Sequence, residues 1–254
     1  MTEWHGGKGD KRRKLQVSDE TFSDNWSKIF SKNKETKTMK IVTISDTHNK
    51  HRDIDMPEGD VLVVAGDFTG TGATHQVAEF NEWLGELDFE HIIVVAGNHE
   101  LSFEDPRRAM HLTLTNAHYL KDRELILDGV KFYGAPWQPE FCDWAFNLSR
   151  GEELAEKWAL IHDNTDVLIT HGPPSGILDS NLALDDTRQG FGCVDLLHRV
   201  NAVKPKYHIF GHIHGGYGRH QGIYTEFVNT AICTEEYKPL NKPHVLEIEV
   251  KDGV

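Results

Sequence analysis

Three short, β-branched runs, residues 40–45, 60–65 and 91–96, each break off in a polar or glycine-rich turn, and they constrain the fold of this chain more than any other feature. Runs of that length and composition predict strands buried on both faces. Between the second and third, residues 74–87 carry Val77, Phe80, Trp83, Leu84 and Leu87 at helical spacing, with Thr74 as the expected N-cap. Strand, helix and strand in that order predict a β-α-β crossover. Later stretches add a hairpin (residues 125–127 and 130–134 around Asp128-Gly129), a helix over 152–162, a strand over 166–170 and a helix over about 194–203. Strands at 208–210, 224–229 and 245–250 complete the pattern. With no repeats or long linkers, it predicts one α/β domain in which sheets pack together under outer helices.

Residues 1–38 read differently. They are rich in Lys, Ser, Asp and Glu and include the basic cluster Lys11, Arg12, Arg13 and Lys14, so a charged, flexible tail is expected ahead of a domain over 39–254. So short a charge run is read as solvated, without a function of its own.

Charge and cysteine usage narrow the function classes. A net charge of -13 argues against a surface that grips a nucleic-acid polymer or anionic lipid, because both depend on clustered Lys and Arg. An acidic chain that handles phosphate needs metal to invert the local field. Cys142, Cys193 and Cys233 lie far apart without a CxxC pair, so neither a disulfide framework nor a thiolate zinc site is expected. The longest apolar runs are strand-sized and the polar N-terminus lacks a secretory hydrophobic region, so a soluble, cytoplasmic protein is expected.

The informative observation is where metal-capable residues fall. Asp46-Thr47-His48 follows the first strand, Gly66-Asp67 the second and Gly97-Asn98-His99-Glu100 the third, while His171-Gly172 and Gly211-His212-Ile213-His214 follow two later strands. In open α/β sheets the carboxyl ends of parallel strands line the ligand crevice, so these groups are expected to share one address. Alternate residues of an extended segment project the same way, which lets Asp46 with His48, and His212 with His214, reach one cluster. Carboxylate oxygen, amide oxygen and imidazole nitrogen together suit Mn, Fe or Zn.

This ordered set resembles the signature of the calcineurin-like metallophosphoesterase superfamily, over residue 39 to the C-terminus. Ser45-Asp46-Thr47-His48, Gly66-Asp67-Phe68-Thr69, the segment 80–85, Tyr133-Gly134-Ala135-Pro136-Trp137 and Thr170-His171-Gly172-Pro173-Pro174 are similar, more narrowly, to the metallophosphoesterase-domain-containing (MPPED) phosphodiesterases. The resemblance implies a four-layer αββα sandwich of two packed mixed β-sheets flanked by helices. It implies two divalent metal ions, Mn, Fe or Zn ahead of Mg. Asp46, His48, Asp67 and His214 would bind the first, and Asp67, Asn98, His171 and His212 the second, with Asp67 bridging. His99 would act beyond the metals on the leaving-group oxygen, with Asp67 and Asn98 also in the catalytic set. Some MPPED proteins carry Gly at the position of His212; here Gly-His-Ile-His is complete, which implies an active enzyme. The implied mechanism is two-metal hydrolysis of a phosphodiester by a metal-bridging hydroxide.

Other residues carry two readings each. Glu100 could orient His99 or cap a helix; Trp137 and Trp144 could stack on a nucleobase, with core packing favoured; His51, Arg188 and Arg219 could touch substrate, with neutral loop positions favoured. The sequence after Gly66-Asp67 lacks the Asp-Arg-Gly that supplies a phosphate-gripping Arg in protein phosphatases. Small phosphodiesters, linear or cyclic nucleotides, are therefore the expected substrates, with no nucleic-acid polymer or membrane partner and the oligomeric state left open. The alternatives are a phosphomonoesterase of the same fold and a weakly active nucleotide-binding scaffold.

Overall fold

Apolar residues alternate between two destinations along each central strand, and that alternation builds the layers. A computed structural model of the protein describes residues 37–105, 107, 114–180 and 190–250, together with Thr21. The elements in the first half are β1 (Thr38–Ile44), β2 (Val61–Ala65), α1 (Thr74–Glu86), β3 (His91–Val95), α2 (Leu101–Glu104), β4 (His118–Tyr119), β5 (Arg123–Leu127) and β6 (Val130–Ala135). There follow β7 (Gln138–Pro139), β8 (Asn147–Leu148), α3 (Glu152–Ala159), β9 (Val167–Thr170), α4 (Val194–Val203), β10 (Tyr207–Phe210), β11 (Gly218–Gln221), β12 (Glu226–Asn229) and β13 (His244–Glu249).

One sheet has the order β13-β1-β2-β3-β4 and the other β11-β12-β10-β9-β6-β5; β7 and β8 pair separately. Both large sheets are mixed. β1, β2, β3 and β4 run parallel with β13 antiparallel at the edge, and β6, β9, β10 and β12 run parallel with β5 and β11 antiparallel. Ile41, Val61, Val63, Ile93 and Val95 of the first sheet meet Phe132, Val167, Ile169, Ile209 and Val228 of the second in one buried layer. Their sequence neighbours Val42, Leu62, Val64 and Val94 face outward and pack on Phe80, Trp83 and Leu84 of α1. On the other side Tyr133, Leu168 and Phe210 pack on Leu154 and Trp158 of α3 and Leu196 and Val200 of α4. The period of two sends successive side chains to opposite faces, and burial on both faces is why these strands read as continuous apolar runs. The result is the expected helix-sheet-sheet-helix sandwich.

Several expected boundaries move. Ala73, not Thr74, is the N-cap of α1: Ala73 is extended (φ -63, ψ 142) and makes no side-chain cap bond. Thr74 is already helical, one residue too late to cap. Gln76 instead reaches back, its Oε1 accepting from the backbone N–H of Thr71 (3.1 Å) and Ala73 (3.4 Å). α3 stops at Ala159 rather than His162 because the N–H groups of Leu160 and Ile161 turn to carbonyls three residues back, Lys157 and Trp158. β12 begins at Glu226, since Thr225 closes a turn with Gly222. The polar edge strand β11 has no apolar alternation to announce it, and the two-residue strands β4, β7 and β8 are too short to show a period. The tail expected over residues 1–38 and the loop residue Arg188 lie outside the described residues, apart from Thr21, Lys37 and Thr38.

His208 of β10 is fully buried among Phe210 and Phe227. Thr170 donates its hydroxyl to the Gly172 carbonyl, so Nε2–H of His208 is the donor to Thr170 Oγ1 (2.9 Å), and Nδ1 is left buried without a partner. Burial accordingly pushes this imidazole down to about 3. In the unfolded chain it returns to about 6.5, so below that pH the unfolded state takes up a proton that the folded state refuses. The folded state should therefore lose about 2 kcal/mol from this group between pH 7 and pH 5. Denaturation of the wild type and of His208→Gln at both pH values tests this: the difference between the two proteins should change with pH, and a constant difference would refute it.

Candidate metal centre

The carboxyl ends of β1, β2, β3, β9 and β10 are brought to one place by the backbone. Asp46 N–H donates to Gly66 O (3.0 Å), His48 N–H to Asp67 O (3.0 Å) and Gly211 N–H to His171 O (2.9 Å). The two sheets are tied beneath the site, where Ser45 N–H donates to Thr230 O and Ile232 N–H to Ser45 O, each at 2.9 Å. Two glycines allow the approach. Gly66 turns with φ 97, and a Cβ there would collide with the His171 ring; a Cβ on Gly211 would collide with Asp46 and Ser45.

All seven candidate ligands converge. Asp46, His48 and His214 form one group able to hold a metal ion; Asp67, His171 and His212 form a second; and Asp67 with His48 and His99 forms a third. His48 links the third group to the first, and Asp67 belongs to the second and third. Its Oδ2 lies 3.3 Å from His171 Nε2 and 4.0 Å from His48 Nε2, while Asn98 Oδ1 is 2.9 Å from His171 Nε2. Asp46, His48, Asp67, Asn98 and His171 are buried and His212 and His214 half-buried, so the cluster opens on the side of the last two.

The donor chemistry fits cations. His171 Nδ1 lies 2.9 Å from the Ala65 carbonyl and His214 Nδ1 2.9 Å from the Thr234 carbonyl. A carbonyl only accepts, so each Nδ1 carries a proton and Nε2 is the atom turned inward, whose lone pair a cation would take. His171 Nε2 then confronts the oxygens of Asn98 and Asp67, and His214 Nε2 confronts Asp46 Oδ1 at 3.4 Å and His48 Nε2 at 3.2 Å. Acceptors crowded against acceptors repel unless they share positive charge. The protonation tendencies express the same demand. Burial would push His171 down, yet the Asp67 carboxylate outweighs it and holds the imidazole up at about 9. Burial would push Asp46 and Asp67 up, yet His214 and His171 respectively hold them below the usual carboxylate range. His48 and His212, where burial prevails, are pushed down to about 4 and stand as neutral donors.

Four backbone positions at the candidate ligands take positive φ: Asp46 (52), His48 (44), Asp67 (50) and His212 (68). Non-glycine residues adopt this region at an energetic cost, and the core beneath holds them there.

His99 sits beside the cluster rather than within either expected ligand set. Its N–H donates to Asp67 Oδ1 (2.8 Å), its Nδ1 lies 2.7 Å from the Gly70 carbonyl, and its Nε2 lies 3.9 Å from Asp67 Oδ2. Trp144 stacks on it, with ring centroids 4.2 Å apart and planes 26° apart. The core reading favoured for Trp144 therefore gives way to a role as the wall behind His99. Trp137 does pack, edge-on to Phe146 with Nε1–H donated to Asp122 Oδ1 (2.7 Å). His51 is buried against Phe80 and Trp83 with Nε2 3.0 Å from Glu79, and Arg219 pairs with Glu226 at 2.6 Å; both are spent on the scaffold.

Glu100 occupies the N-cap position of α2, as one of its two readings had it, but makes no side-chain cap bond there. Its fully buried carboxylate accepts from the backbone N–H of Asp67 (2.9 Å) and Gly97 (2.7 Å) through Oε2, and from the N–H (2.9 Å) and hydroxyl (2.7 Å) of Thr69 through Oε1. It clamps the loops carrying Asp67 and Asn98 together. Burial foremost, then the Asp67 charge, raises it to about 7.

Residues 39–216 match the sequence model of the calcineurin-like phosphoesterases. The chain is 44% identical over 233 residues to metallophosphoesterase domain-containing protein 1 of Homo sapiens, covering 82% of this chain and 71% of that one. It is 41% identical over 243 residues to a UPF0046 protein of Caenorhabditis elegans, covering 84% and 60% respectively. Among solved structures, the phosphopantetheinyl hydrolase of Mycobacterium tuberculosis shares the fold with a TM-score of 0.55 at 14% identity, over 82% of this chain and 95% of that one.

Glu100→Gln would put amide hydrogens against N–H donors. It should cost about 3 kcal/mol of stability in the metal-free protein and weaken metal binding about 10- to 100-fold. Chemical denaturation and metal titration check both, and a variant equal to wild type in each would remove the clamp.

Proposed function

We propose that this chain, which belongs to the calcineurin-like phosphoesterase family, hydrolyses small phosphodiesters, with linear or cyclic nucleotides as the substrate class. The observation that carries this reading is a chain of three metal-capable groups, Asp46-His48-His214, His48-Asp67-His99 and Asp67-His171-His212, linked through His48 and Asp67. The donor set, oxygen and imidazole nitrogen without thiolate, favours Mn, Fe or Zn over Mg. Two such cations would supply Lewis acidity, drawing in the phosphate oxygens and making water acidic enough to attack near neutral pH.

The remaining work falls to the chain's own residues. Asp46, His48, Asp67 and His214 would hold one cation and Asp67, Asn98, His171 and His212 the other. The backbone carbonyls on His171 and His214 hold each Nδ1–H, so both rings keep Nε2 turned toward the centre. His99 is the proton donor to the leaving oxygen. In its imidazolium form Nδ1–H stays on the Gly70 carbonyl and Nε2–H is the free donor; giving up that proton leaves a neutral ring still anchored by the same carbonyl. Trp144 limits its rotation.

The net charge of -13 supports a small substrate rather than a polymer. Among the described residues no helix is long and apolar enough to cross a membrane. All three cysteines are free, which suits a reducing cytoplasm.

The test strips the metals, restores Mn or Zn singly, and follows a chromogenic phosphodiester, a chromogenic monoester, and 2′,3′- and 3′,5′-cyclic nucleotides. Diester turnover should return with metal and exceed monoester turnover. Faster monoester turnover would make the protein a monoesterase, and metal binding without turnover would make it a scaffold. In the active case His99→Ala should lower kcat by about 10²- to 10⁴-fold with metal content unchanged.

A further inference from the structure

Beside the candidate centre lies a cavity of about 340 Å³, bordered by His212 and His214 and walled by Phe141, Phe191 and Tyr237. The three aromatic residues keep 51%, 45% and 47% of their surface exposed, so this mouth concentrates apolar surface that the fold leaves uncovered. Tyr237 differs from its neighbours in carrying a hydroxyl.

Four features set that residue apart. Its ring stands edge-on to His48, with centroids 4.8 Å apart, and to His214, at 5.4 Å, so it touches two candidate ligands of the same ion. Its backbone takes φ 57, the left-handed region also occupied by Asp46, His48, Asp67 and His212. A bulky aromatic residue adopts that conformation at a cost, and here the cost falls where its ring packs against two candidate ligands. The turn is fixed by Tyr237 N–H to Thr234 O and Thr234 N–H to Lys238 O, both 2.8 Å, and the same Thr234 carbonyl holds His214 Nδ1. One turn therefore sets both the ligand imidazole and the phenol. The hydroxyls of Tyr207 and Tyr217 are committed to backbone carbonyls at 2.8 Å, whereas that of Tyr237 takes no hydrogen bond among the described residues.

We propose that Tyr237 is a further catalytic residue, its hydroxyl donating a hydrogen bond to a non-bridging oxygen of the phosphoryl group at the centre. That oxygen gains charge as the nucleophile closes on phosphorus, so a donor held beside the centre would favour the transition state over the ground state. No bond to the phenol forms or breaks and its proton stays on oxygen. The inference rests on the phosphoesterase reading. It also supplies, from a turn after β12, an anion contact that the sequence following Gly66-Asp67 does not.

Tyr237→Phe tests it in the full metal-loaded chain, because the ring and its packing on His48 and His214 survive and only the O–H is lost. Metal content and thermal midpoint should match wild type. The kcat for the phosphodiester should fall about 10- to 100-fold with KM changed less, and inorganic phosphate, measured by calorimetry, should bind about 10-fold more weakly. Unchanged kcat together with unchanged phosphate affinity would overturn the assignment. Should the wild type turn over no phosphoester, the hydrolase reading fails by itself, and the phosphate titration still decides the phenol contact: weaker binding supports it and equal binding refutes it.

Discussion

Asp67 is placed where two groups of acceptors meet, and the structure around it exists to hold groups that repel one another. Its carboxylate faces His171, His48 and His99, its N–H is claimed by Glu100, and its Oδ1 receives the N–H of His99. Burial first, and then the charge of Asp67 in the same hydrogen-bonded loop system, raises Glu100 to about 7. The clamp is nonetheless satisfied by four donors, so it holds the loops by hydrogen bonding even where its charge is resisted. Removing either acid would leave N–H groups of the other loop unpaired, and this couples the position of Asp67 to that of Asn98.

Such a cluster can be held only by a scaffold with stability to spare. The inter-sheet layer of Val, Ile and Phe supplies it, and its geometry explains why the cluster lies at the strand ends rather than along a strand. Within a strand, neighbouring side chains part to opposite faces, and both faces here are filled. Beyond the last ladder bond the backbone is free to take positive φ, as at Asp46, His48, Asp67 and His212, and to turn polar side chains into a shared space. Burial then serves a second purpose: it keeps His48 and His212 neutral at physiological pH, so their lone pairs are available without first losing a proton.

The layers and the cluster were legible because each rests on a local pattern. β-branched runs of strand length announce β1, β2 and β3, and the polar residues that stop those runs are the ones that meet at the site. What stayed hidden depends on contacts between distant segments. Trp144 reads as another core aromatic until the chain folds its loop against His99, 45 positions earlier in sequence. Glu100 is part of a recognisable motif, but its partners Asp67 and Thr69 come from a different strand end. Tyr237 lies in a stretch with no periodicity, and only its backbone conformation and the shared Thr234 carbonyl connect it to His214. The short strands β4, β7, β8 and β11 follow from pairing to a neighbour, which no window of their own residues encodes.

The acidic surface and the acceptor-rich centre pose one electrostatic problem, and cations at the centre answer both halves of it. A chain of net charge -13 repels a phosphate at long range, but salt screens that repulsion beyond about 10 Å, whereas the field at the centre acts at contact distance. Without cations, Asp46 and Asp67 raise the proton affinity of His214 and His171, so protons compete for the lone pairs that a cation would use. A bound cation would displace such protons and would stabilise the folded chain by mass action, since the unfolded chain has no such cluster to offer. The site that would perform the chemistry is on this account also a conditional part of the fold, complete only when its charge is balanced.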